Sequence, residues 1–234
     1  IRRSISRRIA GSRAPAGSVT TAAPASSCLA VLPSGETLGL AHQTIWARPP
    51  EGVTCQTGES AVWADTIATI GRPPAGSRFV SVGDRGADVF EHLESVRDTG
   101  WDAVIRAAQD RRLAAGGGSL TALRAARAMG AATVLTRQGE AVVCVAWREL
   151  ELLPPRKGPA GRAPIRVWGV RVWNDTLEWL LLTTRPVETL DQALDIIAWY
   201  ARRWSVDIYQ PWCLSSLKWV LAPAVLGVAE AQVA

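Results

Sequence analysis

The stretch VSVGDRGADVF (residues 80–90) decides how the rest of the chain is organised. Its first half predicts a short buried strand, RFVSVGD over residues 78–84, which ends on Asp84. Apolar residues at helical spacing follow and predict a helix over residues 88–97, with Asp88 near its start. A carboxylate at the end of a buried strand can reach a cleft from a fixed backbone. The alternative is a turn aspartate that hydrogen-bonds the backbone of GDRG.

Upstream of this strand, the pattern predicts a β-hairpin and then a helix. CLAVLP and TLGLAHQTIW (residues 28–33 and 37–46) are apolar strands joined by a PSGE turn. Residues 59–70 place their apolar side chains on one helical face. A hairpin, a helix and a strand in this order predict an α/β fold.

Downstream, the pattern continues with mixed elements. WDAVIRAAQDRRL (residues 101–113) predicts a strand that leads into an arginine-rich turn, and Ser119 is a candidate cap for a helix that extends to Met129. Three β-like runs follow, over residues 141–147, 165–173 and 177–184. Thr189 and Gln192 then have the spacing of a capping box that opens a helix.

WYARRWSVD (residues 199–207) carries a second candidate group in that last helix. Tyr200, Arg203 and Asp207 lie at positions i, i+3 and i+7, so they share one helical face. A tyrosine and an arginine one turn apart can contact a phosphate while the following carboxylate holds a metal ion. By itself, the same pattern favours an ordinary solvated face with a surface ion pair.

Composition is compatible with a nucleic-acid partner, but the charge alone does not decide for one. The net charge is +5, and every cation except Lys157 and Lys218 is an arginine, which binds phosphate through two parallel hydrogen bonds. GC-rich codon usage explains the same bias. The four cysteines are scattered without a CxxC pair, which disfavours a zinc site. No apolar run approaches the roughly 20 residues that span a bilayer, so we expect no membrane partner and a cytoplasmic location.

The first residues differ from the rest in composition. They contain five arginines and no acid before Glu36. We interpret residues 1–27 as a disordered or aberrant basic leader because they carry little apolar surface to bury. An organellar targeting peptide is the alternative.

Several of these segments, in this order, resemble the DDE-type insertion-sequence transposases that carry a Tyr-Arg-Glu-Lys signature. The matching segments are GLAHQTIWARP (39–49), DRGAD (84–88), VIRAAQDRRL (104–113) and the run from EWLLLTT to WYARRW (178–204). The resemblance implies an α/β fold with a ribonuclease-H-like core that a β-rich insertion interrupts. It divides the chain into a partial core (28–135), the insertion (136–188), the signature helix (189–210) and a divergent tail (211–234).

The resemblance also implies roles for single residues. Asp84 and Asp207 would be catalytic acids and ligands of Mg²⁺, or of Mn²⁺, if the site is competent. Tyr200 and Arg203 match the signature residues that contact DNA phosphates. Trp179 stands where the family stacks an indole on a flipped base, and Trp204 adjoins it. Core packing is the alternative for both tryptophans.

The basic residues Arg85 and Arg106 complete the predicted contacts with double-stranded DNA at transposon ends. The resemblance also implies that active members are homodimers and that the expected location is the bacterial nucleoid.

Three departures from the family pattern predict that this chain does not catalyse transposition. The signature glutamate is Asp207, which is one methylene shorter, and its lysine falls on Leu214. Gly86 replaces the glutamate usual after Asp-Arg. No acid precedes the CLAVLP strand, where the first catalytic carboxylate belongs.

Two further hypotheses stay open at this point. One is a catalytically silent DNA-binding module that uses arginines and one indole, namely Arg85, Arg106, Arg111, Arg112, Arg203 and Trp179. The other is a translated pseudogene without function.

Overall fold

The strands of the fold follow the α/β order that the sequence predicts. A computed structural model describes residues 25–45, 61–136, 139–203 and 224–228 of the chain. The strands are β1 (Ala25–Val31), β2 (Thr37–Ile45), β3 (Arg78–Gly83), β4 (Asp102–Arg106), β5 (Gly130–Thr136), β6 (Gly139–Leu152), β7 (Ile165–Trp173), β8 (Glu178–Thr183) and β9 (Ala224–Val228). The helices are α1 (Ala61–Ile70), α2 (Phe90–Thr99), α3 (Ser119–Arg124) and α4 (Leu190–Arg202).

One mixed sheet of seven strands forms the centre of the fold, in the order β5-β6-β7-β8-β4-β3-β9. β3 and β4 are parallel and joined by α2, a connection long enough to bring the second strand back in the same direction. The other pairs in this sheet are antiparallel. β1 and β2 form a separate antiparallel hairpin. The parallel pair therefore ends at a single edge, where Asp84 and Ala107 follow their strands.

Alternate side chains of the sheet enter two apolar cores, one on each face. In β4, Val104 enters the core that α4 covers, whereas Ala103 and Ile105 enter the core that α1, α2 and α3 cover. α4 begins at a complete capping box, in which Thr189 Oγ1 accepts the Gln192 amide hydrogen at 3.3 Å. The predicted α/β class and this capping box are confirmed.

Several boundaries differ from the predictions. α2 begins at Phe90 and ends at Thr99, against a predicted helix over residues 88–97, and β6 extends beyond the predicted residues 141–147 at both ends. β1 begins at Ala25, so residues 25–27 belong to the hairpin and not to the leader. β5 was not predicted, and the β-rich part of the chain therefore starts at Gly130. α3 ends at Arg124 and not at Met129, because the Met129 amide donates to Val145 O and leads into β5.

The cap of α3 is also different from the prediction. Gly118 occupies the cap position, and Asp110 Oδ1 accepts the amide hydrogens of Leu120 and Thr121 at 2.7 and 3.2 Å. The hydroxyl of Ser119 accepts the Arg111 amide hydrogen at 3.0 Å. Ser119 therefore fixes the loop after β4, and an aspartate ten residues away in the chain caps the helix.

Asp88 connects the two loops at the carboxyl ends of β3 and β4. Its buried carboxylate accepts the amide hydrogens of Ala108 and Gln109 at 2.7 and 2.8 Å and pairs with Arg111 Nε at 2.7 Å. The Arg111 guanidinium also donates to the carbonyl oxygen of Asp88. These hydrogen bonds stabilise the buried carboxylate. Removal of the carboxylate would leave its donors buried without an acceptor, which destabilises the fold.

We expect Asp88→Ala to lower the free energy of unfolding by about 3–5 kcal/mol, since it leaves Arg111 and two amides without their acceptor. Asp98→Ala is the matched control, because Asp98 pairs with Arg97 at an exposed site and its loss costs within about 0.5 kcal/mol. Urea denaturation of both variants measures the difference. Equal stability of the two variants would contradict this role.

Candidate functional site

Asp84 follows β3 and lies at the surface edge of the sheet, half-buried. Its Oδ1 accepts the amide hydrogen of Gly86 at 2.8 Å and caps a 3₁₀ turn over Arg85–Ala87. The arrangement is that of the turn aspartate that the tetrapeptide alone favours. The hydrogen bond to Gly86 uses Oδ1 and not Oδ2. This contact does not test whether Asp84 binds a metal ion, so that role stays a prediction.

Glycines shape this turn through close packing. A Cβ atom on Gly83 would lie 2.2 Å from Ala87 Cβ and 3.1 Å from the Trp63 ring. A Cβ atom on Gly86 would lie 3.2 Å from Asp84 Oδ1. Gly83 is therefore required by the turn, and a larger residue in place of Gly86 would crowd the carboxylate that caps it.

A buried histidine supports the turn from below. His92 Nδ1 lies 3.0 Å from the carbonyl oxygen of Ala87, and Nε2 lies 3.0 Å from Ser81 Oγ. A carbonyl oxygen only accepts, so Nδ1 carries the hydrogen and Nε2 accepts from the serine hydroxyl. Burial lowers the pKa of His92 from 6.5 to about 4, because desolvation disfavours the charged ring.

A groove with three arginines opens beside Arg85, the residue that follows Asp84. It has a volume of about 260 Å³ and lies where β4 ends and β8 begins. Arg85, Arg106 and Arg124 line it, with Leu120 and Leu180 as apolar walls. Of the described residues that line the groove, Glu178 is the one with a carboxylate side chain. The groove therefore combines two predicted DNA-binding arginines with a third that the sequence did not indicate.

Glu178 connects the groove to a fourth arginine. Its Oε2 accepts from Arg124 Nε and its Oε1 from Arg171 Nη2, each at 3.1 Å. Its carbonyl oxygen accepts from Arg106 Nη2 at 3.0 Å. Two arginines thus contact the carboxylate of Glu178, a third contacts its carbonyl oxygen, and Arg85 lines the same groove. This excess of positive charge suits a phosphate group.

The structure brings Tyr200, Arg203 and Trp179 together, but it places both rings in the core. Tyr200 is 0% exposed and Trp179 is 3% exposed, and their centroids lie 5.2 Å apart in an edge-to-face contact. The Arg203 guanidinium lies 5.8 Å from the centre of the Tyr200 ring. Core packing of Trp179 is therefore what the described residues show. Contact of either ring with DNA would require it to leave the core, and the DNA contact of Arg203 stays a prediction.

The physical reason for this placement lies in the two elements that carry the rings. Tyr200 shares the inner face of α4 with Ala193, Ile196 and Ile197. Trp179 alternates with Leu180 along β8 and points to the core that α4 covers. Helical spacing predicts which residues share a face, but it leaves open whether that face is buried.

The other predicted residues have separate positions. Trp204 and Asp207 lie outside the described residues. Arg111 pairs with buried Asp88, which removes it from the surface set of the silent DNA-binding hypothesis. Arg112 is exposed and donates to Pro154 O at 2.9 Å.

Arg124, Arg171 and Glu178 were missed by sequence reasoning. They come from α3, β7 and β8, and only the sheet brings them together. One local signal was present. The turn of the β7–β8 hairpin pairs Trp173 with Glu178, which makes Arg171 a diagonal neighbour of that glutamate.

The described residues do not by themselves fit a metal site. No three His, Cys, Asp or Glu side chains come together among them, and one of the two predicted ligands, Asp207, is not among them. None of the described helices has the length and apolar content to cross a membrane. No protein-family model matches the chain.

The shifted pKa of His92 predicts acid sensitivity. The neutral ring is favoured in the folded state, so its contribution to stability is complete above pH 6.5 and is lost as the pH falls from 6.5 towards about 4. Between these values, the free energy of unfolding should fall by about 1.4 kcal/mol per pH unit from this group. His92→Gln should have a shallower slope when urea denaturation is followed across this pH range. Parallel slopes of the two proteins would contradict the prediction.

Proposed function

We propose that this chain is a transposase-derived DNA-binding protein with a ribonuclease-H-like core. The groove of Arg85, Arg106 and Arg124 is the observation that carries the proposal. Ligands of α/β sheets bind outside the carboxyl ends of the strands, and this groove lies at the end of β4. The hairpin, helix and strand that precede Asp84 support the same core.

The proposed ligand is the phosphate backbone of double-stranded DNA, at transposon ends in the ancestral protein. Arginine forks bind phosphate oxygens in pairs, and they do so without regard to base sequence. Arg85 supplies such a fork from the turn after β3, and Arg106 supplies one from the end of β4. A homodimer in the bacterial nucleoid is the assembly that the family resemblance implies.

The ancestral activity is metal-dependent cleavage and transfer of a DNA strand, and we propose that this chain has lost it. The two-metal chemistry needs several carboxylates that converge on Mg²⁺ or Mn²⁺. Among the described residues, no such group accompanies Asp84. Asp207, the proposed second ligand, is one methylene shorter than the glutamate of the signature.

DNA binding should weaken steeply with salt, because phosphate contacts release counterions. Arg106→Ala should weaken binding and reduce the slope of log K against log salt by about 1. Arg166→Ala is the matched control, since it removes the same charge from an ion pair with Glu149 on the β-rich part of the chain. Fluorescence anisotropy with a labelled duplex measures both. Absence of binding at low salt, or equal losses in both variants, would overturn the proposal.

Incubation with Mg²⁺ or Mn²⁺ and a plasmid that carries the DNA flanking the gene should give no cleavage. Gel electrophoresis of the plasmid detects nicked and linear products. Asp84→Ala and Asp98→Ala are the paired variants, one at the proposed site and one at an exposed position. Cleavage that Asp84→Ala abolishes and Asp98→Ala preserves would show that the site is active.

A further inference from the structure

Glu178 occupies the donors that a phosphate would use in the arginine groove. Its carboxylate accepts from Arg124 Nε and from Arg171 Nη2, each at 3.1 Å. Carboxylate and phosphate oxygens are the two anionic groups that fit a guanidinium fork. The groove is thus partly neutralised by a side chain of its own.

The two arginines differ in how firmly they are held. Arg171 is 17% exposed, donates to the carbonyl oxygen of Arg124 at 2.6 Å and lies 4.2 Å from the centre of the Trp173 ring. The side chain of Arg124 is 56% exposed and pairs with Glu178 at the solvent side. An exposed ion pair is weak, about 0–1 kcal/mol, so Arg124 can exchange its partner.

One nitrogen of the Arg171 guanidinium, Nε, takes no part in these contacts. It is buried and has no hydrogen-bond partner within the described part of the chain. When Arg124 turns towards a ligand, Glu178 keeps its bond to Arg171 Nη2, and Arg171 Nε is a second donor within the same guanidinium. The guanidinium of Arg171 therefore provides a place for the carboxylate outside the groove.

We propose that Glu178 is an internal competitor for the phosphate site formed by Arg85, Arg106 and Arg124, which a ligand phosphate must displace from Arg124. The ligand class is a phosphate ester or polyphosphate. The proposed function names the nucleic-acid backbone as its source, and this part of the inference rests on that function. The groove volume of about 260 Å³ is several times the roughly 30 Å³ that one water molecule occupies in the liquid, which leaves room for a phosphate group.

Substitution of the Glu178 side chain isolates this competition. Arg106 is held by the carbonyl oxygen of Glu178 and not by its carboxylate, so Glu178→Gln keeps that contact. The matched control is Glu149→Gln, which also removes one negative charge from a strand ion pair, in this case with Arg166. Glu178→Asp keeps the charge but withdraws it from the arginines, and it carries the test if Glu178→Gln does not fold.

The experiment measures binding of a labelled duplex and of inorganic tripolyphosphate to the full chain and to these variants, with thermal unfolding as the folding control. Glu178→Gln should bind the duplex roughly fivefold more tightly than the unsubstituted chain, because no ion pair has to be broken. Glu149→Gln should change the affinity by less than about twofold, which is the effect of net charge alone.

The outcomes separate the two proposals. If Glu178→Gln and Glu149→Gln change duplex affinity equally, the competition is overturned while DNA binding stands. A second outcome is that the duplex binds neither to the unsubstituted chain nor to Glu178→Gln, while tripolyphosphate binds more tightly to Glu178→Gln than to the unsubstituted chain. In that case the competition stands with a small phosphate ligand, and DNA binding is overturned. If neither probe binds to any of the proteins, both proposals are overturned.

Discussion

The buried carboxylate of Asp88 is the constraint on which the candidate site depends. It joins the turn after β3 to the loop after β4 through two backbone amides and the Arg111 guanidinium. A buried charge is tolerated only where such donors replace water. Because the two loops are fixed to each other, Asp84 and Arg85 from one of them and Arg106 from the strand before the other keep their relative positions.

Much of the fold was predictable because local patterns and tertiary packing agree there. β3, β7 and the capping box of α4 each have a clear period or a clear turn residue. The sequence pattern did not predict β5, because GAATVLT contains few large apolar residues. The segment forms a strand because it pairs with β6. The predicted end of α3 was wrong for a related reason, because β-sheet pairing takes up a segment that could otherwise extend the helix.

The site was harder to predict than the fold. The sequence places Tyr200 and Arg203 on one face of a helix, but burial of that face depends on the sheet against which it packs. Arg124, Arg171 and Glu178 are far apart in the chain or in different strands, so their convergence is a property of the topology. Arg85 and Arg106 were singled out through the family resemblance; the structure places both directly beside the ends of strands that pair in parallel, and their contact with DNA stays a prediction.

The spacing of Asp84 and Asp88 has a consequence for which substitutions the two positions tolerate. The two carboxylates stand four positions apart, one at the surface edge and one inside the protein. Replacement of the outer carboxylate removes one hydrogen bond from a surface turn, whereas replacement of the inner one leaves Arg111 and two backbone amides without their acceptor. Selection for a folded chain alone therefore constrains Asp88 more strongly than Asp84.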